Sequence, residues 1–477
     1  VTSTEWLRAA LTEHLDAEAA VARARGRAQE EEVRRAAAAA RARLGTGEAR
    51  ERLEEVVGTR AIDAASHAAL LTHLANAAEA ELLARAKIVL APLEGDRIVL
   101  GGRPTTLIDA LRAARSDDGA TAEAALIAID AELGRERARR IEAWDEAAAR
   151  RARIRARGPA STDDAPADLA ERCAGFLDAT DDAAADLVAR AHHAARSDER
   201  KPVGRIAALA PSSLDRIVSN VGRTERIART FAMIGLGDEL GRRVSVETTR
   251  ALVVTPIVLA NRDRATVLAS AFECGVPTER GMLGATMEAL VRSLSSPASP
   301  VERARPPIGS VAAATRALFE ALLAVRAFVA KHVVTTEREC DALRVAAAAS
   351  TMLEARHACA VVLAGPASAR SDEHARELAA RALGLDPTHV SAELAHSTRS
   401  SALAASTRAR TRLAALAWAP ALRERYDEDW YRNPRFSDWV RGLAVRADVG
   451  VEAIEAELGT APTAAAARAL ELVTGPG

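Results

Sequence analysis

The sequence predicts a mostly α-helical fold with one small β element, and three observations carry that reading. Hydrophobic residues make up 49% of the 477-residue chain, largely alanine and leucine, while aromatics are only 3%. Alanine gives up no side-chain entropy in a helix, and leucine and arginine give up little. Helix punctuation recurs along the chain: Thr2-x-x-Glu5 and Thr336-x-x-Glu339 are capping boxes, and Gly365-Pro366 is a stop. Strand-type residues, in contrast, gather in one place, with Val244, Val246, Val253, Val254, Ile257, Val258 and Leu259 falling between 244 and 259.

In order, Leu7, Leu11 and Leu15 follow the first capping box at helical spacing. Glu30 to Arg43 is a charged helix around an alanine run, interrupted by Gly45 and Gly47, and another helix covers 61–87. Lys87 to Gly102 carries two β-branched runs around Gly95-Asp96, a hairpin or an irregular loop. Helices resume at Thr106, and one long helix is expected over 121–157. Gly158 to Pro166 has linker composition. It divides an N-terminal helical region, 1–157, from a helical region over 168–477, with 158–167 as the connection. Short helices cover 212–236, closed by Gly235-Leu-Gly237. After the strand signal a helix is expected to hold Thr266 to Cys274, and Ser295 to Pro300 is a loop. Helix dominates from Val311 onward, with Asp386-Pro387 as a further start.

Composition excludes several classes. Lys+Arg is 65 and Asp+Glu 66, a formal net charge of -1, so no bulk electrostatic argument exists for nucleic acid or an anionic membrane. Cys173, Cys274, Cys340 and Cys359 form no C-x-x-C pair and read as free thiols of a reducing compartment. The N-terminal residues lack a signal-peptide pattern, and no apolar run is long enough for a bilayer. Cytoplasm is the expected location. Val1 fits a GTG start codon, and the Ala and Arg usage fits a GC-rich bacterial genome.

The segment from Ala421 to Leu458 is the most distinctive. It contains Glu428-Asp-Trp-Tyr-Arg-Asn-Pro-Arg435, the aromatics Phe436 and Trp439, and a last helix ending Glu457-Leu-Gly459. It resembles the C-terminal helices of the thimet oligopeptidase/oligoendopeptidase family of zinc metallopeptidases. The resemblance implies a large helical body with a cleft, a β element beside it, an H-E-x-x-H helix after that element, and a glutamate on a later helix as third zinc ligand. The order of elements here agrees. The chemistry does not: two imidazoles one helical turn apart and a glutamate base are needed, and none of the ten histidines is followed by glutamate. Laying 265–274 on the family's motif helix puts Ser270 and Cys274 at the histidines and Ala271 at the base. Laying 311–320 on the later helix puts Ala313 at the third ligand. The resemblance thus implies a degenerate member with no catalytic residues, no metal and no cofactor. Peptide or protein remains as the expected partner of the cleft, with Val253, Val254 and Ile257 as candidate binding residues on a strand edge. An active peptidase or other hydrolase with a non-standard site, and a structural or assembly protein, are the alternatives.

Other patterns are weighed against ordinary packing. Glu354-x-x-His357 and Glu393-x-x-His396 match the E-x-x-H of di-iron bundles, with Glu320 and Glu377 as the nearest further carboxylates; chance in a charged sequence explains them better. His67, His73, His192 and His193 read as solvated helix residues. Cys274 with Ser270 reads as small-residue packing. Gly235-Leu-Gly237 and Gly101-Gly102 read as helix stops and turns. Trp430, Tyr431, Phe436 and Trp439 read as core, and the Arg150 to Arg157 run as an exposed helix end.

Overall fold

The computed structural model describes residues 2–24, 29–85, 98–116, 118–134, 137–156, 158, 166–195, 214–219, 221–249, 256–260, 264–270, 275–294, 300–304, 310–333, 336–365, 372–387, 390, 402–446, 449–461 and 463–474. It is helical nearly throughout. The N-terminal body holds α1 (Ser3–Ala24), α2 (Glu30–Leu44), α3 (Gly47–Gly58) and α4 (Ala64–Arg85). The first capping box forms, with the Thr2 amide donating to Glu5 Oε2 at 2.8 Å and the Glu5 amide to Thr2 Oγ1 at 3.2 Å. Leu7, Leu11, Leu44, Leu53, Leu70 and Leu74 form this body's core.

A hairpin follows, β1 (Ile98–Leu100) with β2 (Arg103–Thr105). Its turn is Gly101-Gly102 at φ of 59° and 77°, a backbone that only glycine adopts without strain. Gly95 and Asp96, where the sequence suggested a turn, lie outside the described residues. The hairpin packs with α5 (Leu107–Ala113) and α6 (Gly119–Gly134) around Ile98, Leu107 and Ile129. The single long helix expected over 121–157 is instead α6 and α7 (Arg137–Arg155), the former ending at Gly134, and α7 lies on α4. The linker candidate falls mostly outside the described residues.

The C-terminal body is built from α8 (Leu169–Ala195), α9 (Arg223–Met233), α10 (Gly237–Arg243), then β3 (Val244–Thr249), β4 (Ile257–Ala260) and β5 (Ala265–Ser270). The strand order is β3-β5-β4, with β3 parallel and β4 antiparallel to β5. Then come α11 (Val276–Ser293), α12 (Val301–Ala304), α13 (Ser310–Glu320), α14 (Arg326–His332), α15 (Glu337–Ala364), α16 (Asp372–Leu383), α17 (Ala402–Tyr426), α18 (Pro434–Val445), α19 (Val451–Leu458) and α20 (Ala464–Thr474). Thr336 and Glu339 make the expected capping box of α15, and Gly365 at φ 66° ends it.

The strand signal is right at both ends, while 250–255 is outside the described residues. The helix expected from Thr266 is wrong. Ala265 to Ser270 is the central strand, and the helix starts at Val276. The aromatic cluster is core as expected: Phe436 stacks on Trp439 at 5.5 Å, Trp430 meets Phe436 at 4.9 Å, and Trp418 meets Trp439 edge-on at 5.9 Å. Short α12 belongs to the N-terminal body, for Val301 joins that body's core and Arg8 grips the buried Glu302 through Nε and Nη2. Among the described residues no helix is long and apolar enough to cross a membrane.

Candidate functional site

Of the positions that the resemblance aligns with the family's zinc motif, Ser270 is the last residue of β5, paired with Thr249 of β3. It therefore lies on a strand and not on a helical face. Ala271 and Cys274 lie outside the described residues, as do Val253 and Val254. Ala313 is on α13, half-buried, and Ile257 opens β4, also half-buried. The helix that follows the sheet is α11, and it contains no histidine.

Helix α11 is buried along almost its whole length and packs on β4, β5 and α13. Two glycines permit this. A Cβ on Gly281 would lie 2.8 Å from Pro256 Cδ; one on Gly284 would lie 2.5 Å from Glu320 Cγ and 2.7 Å from the Arg316 carbonyl oxygen. At Gly284 the two helices meet backbone against side-chain root. That interface is closed to a large side chain from α11.

The charged residues of α11 point two ways. Glu279, fully buried, accepts from Arg223 Nε at 3.1 Å, from Arg226 Nε at 3.1 Å and Nη2 at 2.8 Å, and pairs with His332 Nε2 at 2.9 Å. His332 Nδ1 meets Thr230 Oγ1 at 2.7 Å. Burial alone would raise the Glu279 pKa; the bonds from His332 and Arg226 outweigh it and bring it to about 2. The carboxylate of Glu279 is paired entirely inside the protein, so this group reads as a brace between α9, α11 and α14.

The other cluster is largely buried and reaches solvent at Glu354. Arg280 grips Glu354 in bidentate fashion at 3.1 and 3.0 Å, and donates to Thr351 Oγ1 at 3.1 Å and to the Glu320 carbonyl at 3.2 Å. Arg412 pairs with Glu320 at 2.6 Å and with Glu354 at 3.0 Å. Arg316 bridges Glu320 at 2.8 Å and Glu288 at 3.2 Å, and Arg292 pairs with Glu288 at 2.7 Å. The Glu354 side chain keeps 42% of its surface accessible. Yet burial is the largest influence on its carboxyl, overcome by Arg280 and Arg412, which hold it below the usual carboxylate range. His357, one turn on, is pushed down to about 4 by burial and by the Arg408 charge, so it is neutral at pH 7.

The cluster joins α11, α13, α15 and α17 beside the sheet. The sequence picked out Glu354, His357 and Glu320, but as parts of a di-iron pattern. Their surroundings are guanidinium groups, which stabilise carboxylates as ion pairs; Glu377 instead lies on α16, 3.8 Å from His374, and Glu393 and His396 are outside the described residues. Arg280, Arg316, Arg408 and Arg412 were missed. Only the i, i+4 pairs Arg316–Glu320 and Arg292–Glu288 carry a local signal.

No family model and no curated protein matches the sequence. Solved structures do match in shape. An oligoendopeptidase F structure is 12% identical with a TM-score of 0.64, over 98% of this chain and 95% of that one. A PZ peptidase A with inhibitor is 11% identical with a TM-score of 0.61, over 94% of this chain and 84% of the other. An M32 carboxypeptidase from Deinococcus radiodurans R1 is 15% identical with a TM-score of 0.59, over 99% and 98%. With its long helices and small sheet, the chain has the fold of these helical oligopeptidase and carboxypeptidase structures.

Proposed function

We propose that this chain is a pseudoenzyme, a non-catalytic protein on an oligopeptidase fold whose cleft binds peptide or protein without metal. One observation carries the reading. The helix after the sheet, where the resemblance places H-E-x-x-H, has no histidine, and Gly281 and Gly284 pack it too tightly for one on those faces. The whole sequence supports this, because no histidine anywhere is followed by glutamate and no two are four residues apart. Without imidazole pairs and a base, a zinc-activated water has neither its ligands nor its proton acceptor. What remains is a concave charged surface and a sheet whose outer strands, β3 and β4, offer main-chain hydrogen bonds to an extended segment.

Elemental analysis and peptide hydrolysis test the proposal together. The purified protein is expected to hold no stoichiometric zinc and to cleave no short peptide. Zinc at one ion per chain, with cleavage abolished by a chelator, would overturn it.

A further inference from the structure

The two faces of the small sheet differ in what they meet. On one face Val244, Val246, Ala265, Val267 and Ala269 join the core of the C-terminal body. Strand side chains alternate, so Ser245 and Glu247 of β3 share the opposite face with Thr266 of β5. Ser245 stands beside Thr266 in the register, and their hydroxyls meet at 3.0 Å. A guanidinium from far away in the sequence rests on this group. Arg23, in the last turn of α1, donates through Nη2 to Thr266 Oγ1 at 3.4 Å, and its Nε lies 4.0 Å from Glu247 Oε2. Both contacts are long, and the Arg23 and Glu247 side chains keep 42% and 41% of their surface accessible. The pair is not what holds α1 in place, for that helix is anchored by Leu7 and Leu11 in the N-terminal core and by the bidentate grip of Arg8 on Glu302. Exposed ion pairs of this kind contribute little to stability. A carboxylate and two hydroxyls thus present a seat for a guanidinium, and a flexible side chain occupies it loosely.

We propose that Glu247, Thr266 and Ser245 form a subsite for a basic side chain, arginine or lysine, of a peptide segment lying along β3, and that Arg23 is an internal competitor for it. The inference rests on the reading of the outer strands as a peptide-binding edge. β3 is an outer strand, and no second strand pairs with it among the described residues. A segment added at that edge would lie about 4.8 Å away and place alternate side chains over the face that carries Glu247. From there a ligand guanidinium reaches the Glu247 carboxylate with two parallel hydrogen bonds, a closer fit than the long approach of Arg23. Displacing Arg23 needs only a change of its side-chain rotamer.

The test follows the fluorescence anisotropy of two labelled peptides, acetyl-Thr-Val-Arg-Val-Thr and its glutamine counterpart acetyl-Thr-Val-Gln-Val-Thr, with the full chain at low ionic strength. The parent is expected to bind the arginine peptide more tightly than the glutamine one. Arg23→Gln is expected to tighten the arginine peptide about two- to fivefold, the worth of one exposed ion pair, and to leave the glutamine peptide unchanged. Glu247→Gln is expected to abolish the preference for arginine. Both side chains are half-exposed, so both variants are expected to keep the parent's urea midpoint. Equal binding of the two peptides in all three proteins overturns the subsite and leaves the peptide-binding reading standing. Weaker binding of the arginine peptide by Arg23→Gln overturns the competitor role, because Arg23 would then belong to the ligand's own site. A midpoint that falls sharply in Arg23→Gln makes the contact a structural one and overturns the proposal as well. No saturable binding of either peptide removes the peptide-binding reading and this subsite with it.

Discussion

Replacing Gly284 with alanine tests the closure of the α11–α13 interface, and its sign is not what helix propensity alone gives. In an exposed helix interior the change to alanine stabilises by about 1 kcal/mol. At Gly284 the new methyl would sit 2.7 Å from a carbonyl oxygen of α13, against 3.4–4 Å for ordinary contact. A backbone atom cannot swing aside as a side-chain tip does, so the helices must separate along a face that also holds Leu283, Met287 and Phe319. Overpacking of this kind costs about 1–3 kcal/mol. Steric cost therefore cancels or outweighs propensity, for a net loss of up to about 2 kcal/mol. Gly442, at an exposed position of α18, is the control, with nothing within 4 Å of its added Cβ. There the same substitution should stabilise by up to about 1 kcal/mol. Urea unfolding is the better assay, because a 477-residue chain unfolds with an entropy near 1 kcal/mol per degree, so melting shifts are about a degree. If Gly284→Ala raises the urea midpoint as Gly442→Ala does, the crowding argument is refuted.

Three further expectations follow from the charged groups and caps. Glu279→Gln should cost about 3–5 kcal/mol in urea unfolding, for it leaves Arg223 and Arg226 without their buried carboxylate. The Glu279 pKa of about 2 lies below its ordinary 4.5, so its contribution is complete above about 4.5 and is lost as the pH falls toward 2; a parent stability profile flat across that range would contradict it. His357 should titrate at about 4 in labelled-histidine NMR, and its pKa should rise in Arg408→Gln; an unchanged value would place Arg408 too far away. Thr336→Ala should lower stability by about 1 kcal/mol through the lost capping box, and no change in urea midpoint would count against that cap.

Helices, caps and the aromatic core were legible in the sequence because their signals are local. Thr336 and Glu339 are three residues apart, and Phe436 and Trp439 share one helical face. The misreading of Ala265 to Ser270 has a physical cause. As the middle strand, with Val267 and Leu268 both fully buried, it shows no inside-outside alternation, and its alanines suit a helix as well. Pairing with β3 and β4 decided the matter, and pairing is not a local property. The same error displaced Ser270 from a helix and with it the residue-level placement of the zinc-motif positions that the resemblance implied. The charged cluster was unreadable for a related reason. Arg280 meets Glu354 across 74 residues of sequence, a partnership that only the packing of α11 on α15 creates.

The docking of Val301 and Glu302 in the N-terminal core reaches beyond packing. The four-residue α12 lies between α11 and α13, the two helices that meet at Gly284, yet it is clasped by α1 and α4. The two bodies therefore behave as interlocked parts, and neither is a detachable module. A fragment beginning after the linker would bare the Val301 side chain and strip Glu302 of Arg8, its bidentate counterion.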